Sequence, residues 1–135
     1  MSRGKIALSI LVALIVAFGI GYGWGSSGRS PIEDALSQSR LQLDLAEARG
    51  HLLDARVSLF NVNFGDASKH FEEAKTPLGS VRDRLQKDGD RDAAAKIGTA
   101  LDQIAEAQKL AAKLDQTANA KAGEALETIK LAMRK

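Results

Sequence analysis

The chain of 135 residues contains no cysteine. That excludes disulfides, thiolate metal sites, thiol catalysis and the acylated cysteine of a lipoprotein anchor. Aromatic residues are scarce too, with four Phe, one Tyr and one Trp, so stacking platforms for sugars, bases or flat cofactors are not expected. The two prolines, Pro31 and Pro77, leave long stretches free to be helical. Acidic residues are missing from the first thirty positions, where Arg3, Lys5 and Arg29 are the only charges. Residues 31–135 therefore carry sixteen basic against seventeen acidic side chains. The formal net charge of +2 thus arises from the N-terminal segment. Beyond it the signs are interspersed, without the basic stripe that nucleic acid requires. Nucleic acid is not an expected partner.

What the first segment does have is a run of 19 uncharged residues from Ile6 to Trp24, IALSILVALIVAFGIGYGW. As a helix it would be roughly 28 Å long at about 1.5 Å per residue, close to the ~30 Å core of a bilayer. Arg3 and Lys5 precede it, and Tyr22 and Trp24 stand at its end. Basic residues favour the cytoplasmic side and amphipathic rings favour the interface. The expected organisation is a cytoplasmic N-terminus at 1–5, a transmembrane anchor at 6–24, a linker at 25–30 and an extracytoplasmic helical domain at 31–135. The protein is expected in the cytoplasmic (inner) membrane as a single-pass signal anchor, its C-terminal domain in the periplasm or outside the cell. The alternative is a cleaved signal peptide, but no clear Ala-x-Ala site follows the apolar core. Gly19, Gly21, Gly23 and Gly25 contain two overlapping G-x-x-x-G spacings, candidates for dimerisation of membrane helices.

Past the Gly-Ser-Ser-Gly linker, Ser30-Pro31-Ile32-Glu33 has the form of a capping box with proline at the first helical position. A seam of alternating four- and three-residue steps follows: Ile32, Leu36, Ser39, Leu43, Ala46, Gly50, Leu53, Val57, Phe60, Phe64. That spacing belongs to helices packed nearly parallel. A second seam runs through Leu41, Leu45, Ala48, Leu52, Ala55, Leu59 and Val62, so this helix is expected to meet more than one neighbour. The spacing predicts an end near Asn61–Gly65 and a second helix capped by Asp66, carrying Phe71, Ala74, Leu78, Val81 and Leu85, and interrupted or kinked at Pro77. Asp88-Gly89-Asp90 predicts a turn with a fresh cap. A third helix is expected from about Arg91 to Leu114, with Ile97, Leu101, Ile104, Ala111 and Leu114 on one side. A polar break at Asp115–Thr117 precedes a fourth with Ala122, Leu126, Ile129 and Met133. Twelve alanines between residues 93 and 125 favour closely packed helices. The expected class is all-α: the transmembrane helix, then an antiparallel bundle of three or four helices.

A shift of 55 residues superposes Ala67 on Ala122, Phe71 on Leu126, Glu72 on Glu127, Lys75 on Lys130 and Leu78 on Met133. Two related hairpins, 32–87 and 91–134, are one reading of this echo. Within it, Gly65–Ala74 resembles the second helix of a tetratricopeptide repeat, which has Ala, an aromatic four residues on and Ala three further, as Ala67, Phe71 and Ala74 stand here. The usual Trp-x-x-Leu-Gly start is absent and the proline falls early, at Pro77. The resemblance implies peptide or protein binding in a helical groove, and it carries over no particular binding residues.

Candidate chemistry is sparse. The histidines are His51 and His70. Asp66, His70 and Glu73 share one helix face, and Glu47 with His51 makes a second pair; exposed ion pairs at helical spacing account for both. No metal or cofactor site is expected, and no phosphate loop, dinucleotide fingerprint or nucleophile motif occurs. With no catalytic residues to nominate, the chain is expected not to be an enzyme. The expected role is a membrane-anchored interaction or scaffold module of the bacterial cell envelope, binding another envelope protein by helix packing, with Phe60, Phe64 and Phe71 as candidate contacts. The stronger reading of the same three rings is that they meet at the hairpin turn as its core. The alternative is a structural homo-oligomer zipped through the first helix.

Overall fold

The computed structural model describes residues 31–134, which form four α-helices and no strand. The anchor at 6–24, its glycines Gly19, Gly21, Gly23 and Gly25, the linker, and the Ser30 cap lie outside the described residues. No helix among the described residues is long and apolar enough to cross a membrane. The helices are α1 (Pro31–Phe60), α2 (Phe64–Lys87), α3 (Arg91–Ala112) and α4 (Ala118–Ala132). The chain divides into two compact units after Leu36; the first is described only over the opening turns of α1, and the second, from Ser37, contains the rest.

The second unit is an antiparallel bundle in which each helix lies beside the next and α4 returns to α1. Polar ties mark each seam of the ring. Asp44 Oδ2 meets Arg84 Nη1 at 2.9 Å between α1 and α2. Gln108 Nε2 donates to Glu72 Oε2 at 3.2 Å between α2 and α3. Lys121 Nζ lies 3.7 Å from Glu106 between α3 and α4. Arg56 Nε donates to Asn119 Oδ1 at 2.8 Å, closing α4 onto α1. Inside, thirteen of the twenty-three buried apolar residues are alanine, so side chains fill little space and the helices approach closely. Phe71, Leu52, Leu59, Leu78, Ile97, Ile104 and Ile129 supply the bulk. No polar or charged residue is buried among the described residues, leaving the bundle to hydrophobic burial rather than internal hydrogen bonds.

The three corners share one device. After α1, Val62 N–H donates to Leu59 O at 3.0 Å and Asn63 N–H to Ser58 O at 2.8 Å. After α2, Gly89 and Asp90 donate to Gln86 and Leu85, and after α3, Leu114 and Asp115 donate to Ala111 and Leu110. This is the Schellman closure, which places its C′ residue in the left-handed region. Gly89 takes φ 85° there, but Val62 (60°) and Leu114 (59°) occupy it as non-glycine residues.

Several sequence expectations need correction. The second helix starts at Phe64, capped by Asn63, whose Oδ1 accepts from Asp66 N–H while its Nδ2 donates to the Asp66 carboxylate. Asp66 thus sits inside the first turn, as the partner of the cap. Pro77 does not interrupt α2, which is continuous to Lys87 with Pro77 buried. Leu114, expected on the buried side, is 69% exposed, because the left-handed residue that ends α3 swings away from the apolar stripe. Asp90 caps α3 as its sequence predicts, accepting from Ala93 N–H at 3.2 Å.

Candidate functional site

Helix α1 decides which surfaces are available. Of its two seams, the bundle buries the second: Leu45, Ala48, Leu52, Ala55 and Leu59 are interior, and Leu41 packs against them. The first seam points the opposite way. Ser39, Leu43, Ala46, Gly50, Leu53, Val57 and Phe60 are all exposed, with Leu43 at 65%, Val57 at 60% and Phe60 at 82%; Ile32 and Leu36, in the first unit, are exposed as well. In heptad terms the core takes positions c and f of α1, and the a and d positions lie on the far side of the helix. The result is an apolar stripe with the spacing of a helix–helix contact, interrupted by the small residues Ser39 and Gly50.

The three phenylalanines are not brought together as one surface. Phe71 is fully buried, Phe64 is half-buried against the core, and Phe60 stands on the exposed stripe. Ala67 and Ala74, which carry the tetratricopeptide resemblance with Phe71, are likewise interior packing. Glu72 and Lys75, at the echoed positions, join Gln108 in a polar network across α2 and α3. Hydrogen bonds from Lys75 and then Gln108 hold the Glu72 carboxyl below its usual range. A shallow open depression on α3, lined by Asp102, Glu106, Lys109 and Lys113, is a solvated face of mixed charge.

A second cluster lies between α1 and α2. His51 from α1 and His70 from α2 stack with ring centroids 6.1 Å apart and planes inclined by 30°. Both turn Nδ1 toward one oxygen, Glu73 Oε2, at 3.2 Å each. Glu47 lies 3.9 Å from Nε2 of His51, and Lys69 Nζ 3.8 Å from Glu73 Oε1. The three side chains are partly exposed, at 26%, 27% and 36%. Helical spacing pairs Glu47 with His51 and His70 with Glu73, but it cannot join the two pairs. The hairpin does so: it folds back about Val62, eleven residues from both His51 and Glu73. That equal separation is the signal that a sequence reading of the cluster needed.

Comparison with protein-family models, curated proteins and solved structures found no match. The functional reading therefore rests on the geometry of these two surfaces.

Proposed function

We propose that this chain is a tethered interaction and scaffold module of the bacterial cell envelope, which works by helix packing rather than catalysis. The tether is the apolar segment 6–24, set in the cytoplasmic membrane with the bundle outside. The docking element is the exposed stripe of α1 from Ser39 to Phe60, and its occupant is a second copy of this chain. The observation that carries the reading is that seven successive positions at four–three spacing are all exposed while the opposite seam of the same helix is buried.

Charge supports a parallel, in-register pair. With Leu43, Gly50 and Val57 at a, and Ala46, Leu53 and Phe60 at d, Arg49 falls at g and Asp54 at the following e. These positions face each other across a parallel two-stranded coiled coil. Both chains being tethered at the N-terminal side would impose the same polarity. Each apolar side chain of the stripe gains about 1.5–3 kcal/mol when fully covered, against about 4–15 kcal/mol for association from bulk solution. Interrupted by Ser39 and Gly50, the stripe makes a weak pair in solution. Confinement of both copies to one membrane raises their effective concentration and offsets much of that cost.

The absence of native cysteine makes the test clean. Single variants Leu43→Cys, Leu53→Cys and Val57→Cys of the full-length protein, mildly oxidised in native membranes, are expected to give disulfide-linked dimers. Lys96→Cys on the exposed side of α3 is expected to stay monomeric. Photo-crosslinking from the same α1 positions then reads the partner's identity by mass. Adducts with one other envelope protein and none with itself would replace the homotypic reading by a heterotypic one. No adduct at any stripe position would overturn the docking face altogether.

A further inference from the structure

The cluster between α1 and α2 carries an inference separate from the docking stripe. The chain's two histidines, nineteen residues apart, converge from different helices on a single carboxylate oxygen. Their ligating atoms and that of Glu73 all lie within 4.8 Å of one another. Two donors on a tetrahedral zinc ion, each bonded at ~2.0–2.1 Å, stand ~3.3 Å apart. The two Nδ1–Oε2 separations of 3.2 Å already match that edge. Only the histidine–histidine edge needs to tighten, which partly exposed side chains can accommodate.

Protein contacts alone leave part of this arrangement unexplained. Nδ1 of His51 is buried and, despite its closeness to Glu73, makes no aligned hydrogen bond. If both imidazoles served Glu73 as hydrogen-bond donors, each would need its proton on Nδ1. Glu47, 3.9 Å from Nε2 of His51, is the carboxylate placed to hold a proton on that nitrogen, which would free the Nδ1 lone pair for a cation beside Glu73. A carboxylate behind a ligating histidine is the usual outer partner in metal sites, where it fixes tautomer and ring orientation.

We propose that His51, His70 and Glu73 bind one divalent transition-metal ion, with zinc the best match to two imidazoles and a carboxylate. Glu47 positions His51 from behind. Three protein donors leave a fourth position for water on the open side of the cluster. The ion clips α1 to α2 about three helical turns back from their shared corner and fixes the helix that also presents the docking stripe. Magnesium and calcium, which prefer oxygen donors, are not expected to bind.

The test uses purified, metal-free full-length protein in detergent. Zinc is expected to bind with one-to-one stoichiometry by calorimetry. At a hundredfold excess over Kd it is expected to raise Tm by roughly 5–15 °C. His51→Gln and His70→Gln are each expected to abolish binding while keeping the helical spectrum, since both rings are partly exposed. Glu47→Gln, which removes no donor, is expected to weaken affinity by about 10–100-fold. Asp66→Asn, altering the carboxylate next to His70 on the same helix face, is expected to bind like the unaltered protein. Saturable binding that survives His51→Gln would overturn the two-helix site in favour of a local contact on α2. Absence of saturable zinc binding by the unaltered protein would overturn the proposal outright.

Discussion

Val62 stands in a conformation its own chemistry disfavours, and replacing it with glycine is expected to stabilise the protein. Its φ of 60° places a β-branched side chain in the left-handed region, where Cβ crowds the following carbonyl at a cost of about 1–2 kcal/mol. The Schellman bonds from Val62 and Asn63 to Leu59 and Ser58 hold it there. Glycine removes that crowding but adds about 0.4–1 kcal/mol of unfolded-chain entropy to be lost on folding. Val62 is 63% exposed, so little apolar burial is forfeited. The net expectation for Val62→Gly is stabilisation by about 0.5–1 kcal/mol, or roughly 2–6 °C in Tm. Val62→Ala keeps the strained backbone without the branched side chain and is expected to fall between the two. Gly89 is the reciprocal control. A methyl group there meets no atom within 4 Å, but φ is 85°, so Gly89→Ala is expected to destabilise by about 1 kcal/mol through backbone conformation alone. Urea and thermal unfolding followed by circular dichroism measure all three, with unchanged m-values confirming that only stability has moved. A Val62→Gly variant that unfolds more easily than the unaltered protein would refute the account of this corner.

Ala107 is fully buried on α3, and Ala107→Leu is expected to cost about 1–3 kcal/mol by overpacking a core built for close helix approach. Leu53→Ala on the exposed stripe is expected to change folding stability by less than about 0.5 kcal/mol while lowering crosslinking between copies; equal losses at both sites would contradict the two-sided reading of α1. Arg56→Ala and Asn119→Ala each break the tie between α1 and α4, and a double-mutant cycle by urea unfolding is expected to return a coupling of about 0.5–1.5 kcal/mol. In acid, Glu72 is held low by hydrogen bonds from Lys75 and then Gln108, and Asp115 by the hydroxyl and then the N–H of Thr117. Their contribution is present above the unfolded carboxylate range and lost as pH falls below about 4, so Glu72→Gln and Asp115→Asn are expected to flatten the acid limb of a stability–pH curve. Lys121, raised first by its hydrogen bond to Glu124, has the opposite sign: its contribution holds at neutral pH and is lost above about pH 10.

Local chemistry fixed much of this fold in advance. The all-α class, the corners at 61–65, 88–90 and 115–117 and the alanine-dominated later helices follow from periodicity, capping residues and turn formers, which act over a few residues and so are written locally. Asp90 caps where its sequence predicts because an N-cap needs only its own first turn. The left-handed positions at Val62 and Leu114 were not legible, since neither is glycine and each is forced by the Schellman closure around it. Pro77 stands buried inside a helix that runs on to Lys87, so the interruption that its missing N–H allows does not occur.

Tertiary structure decided the functional surfaces. Both seams of α1 satisfy helical periodicity, and nothing within that helix compels one of them inward. The bundle buries Leu45, Ala48, Leu52, Ala55 and Leu59 and leaves the series containing Ser39 and Gly50 facing out. Likewise His51 and Glu73 are twenty-two residues apart in the chain, and only the antiparallel return about Val62 sets them 3.2 Å from each other. Helical spacing determines which residues share a face; which face meets which neighbour is settled by packing between distant segments, and that is the information one chain read residue by residue does not contain.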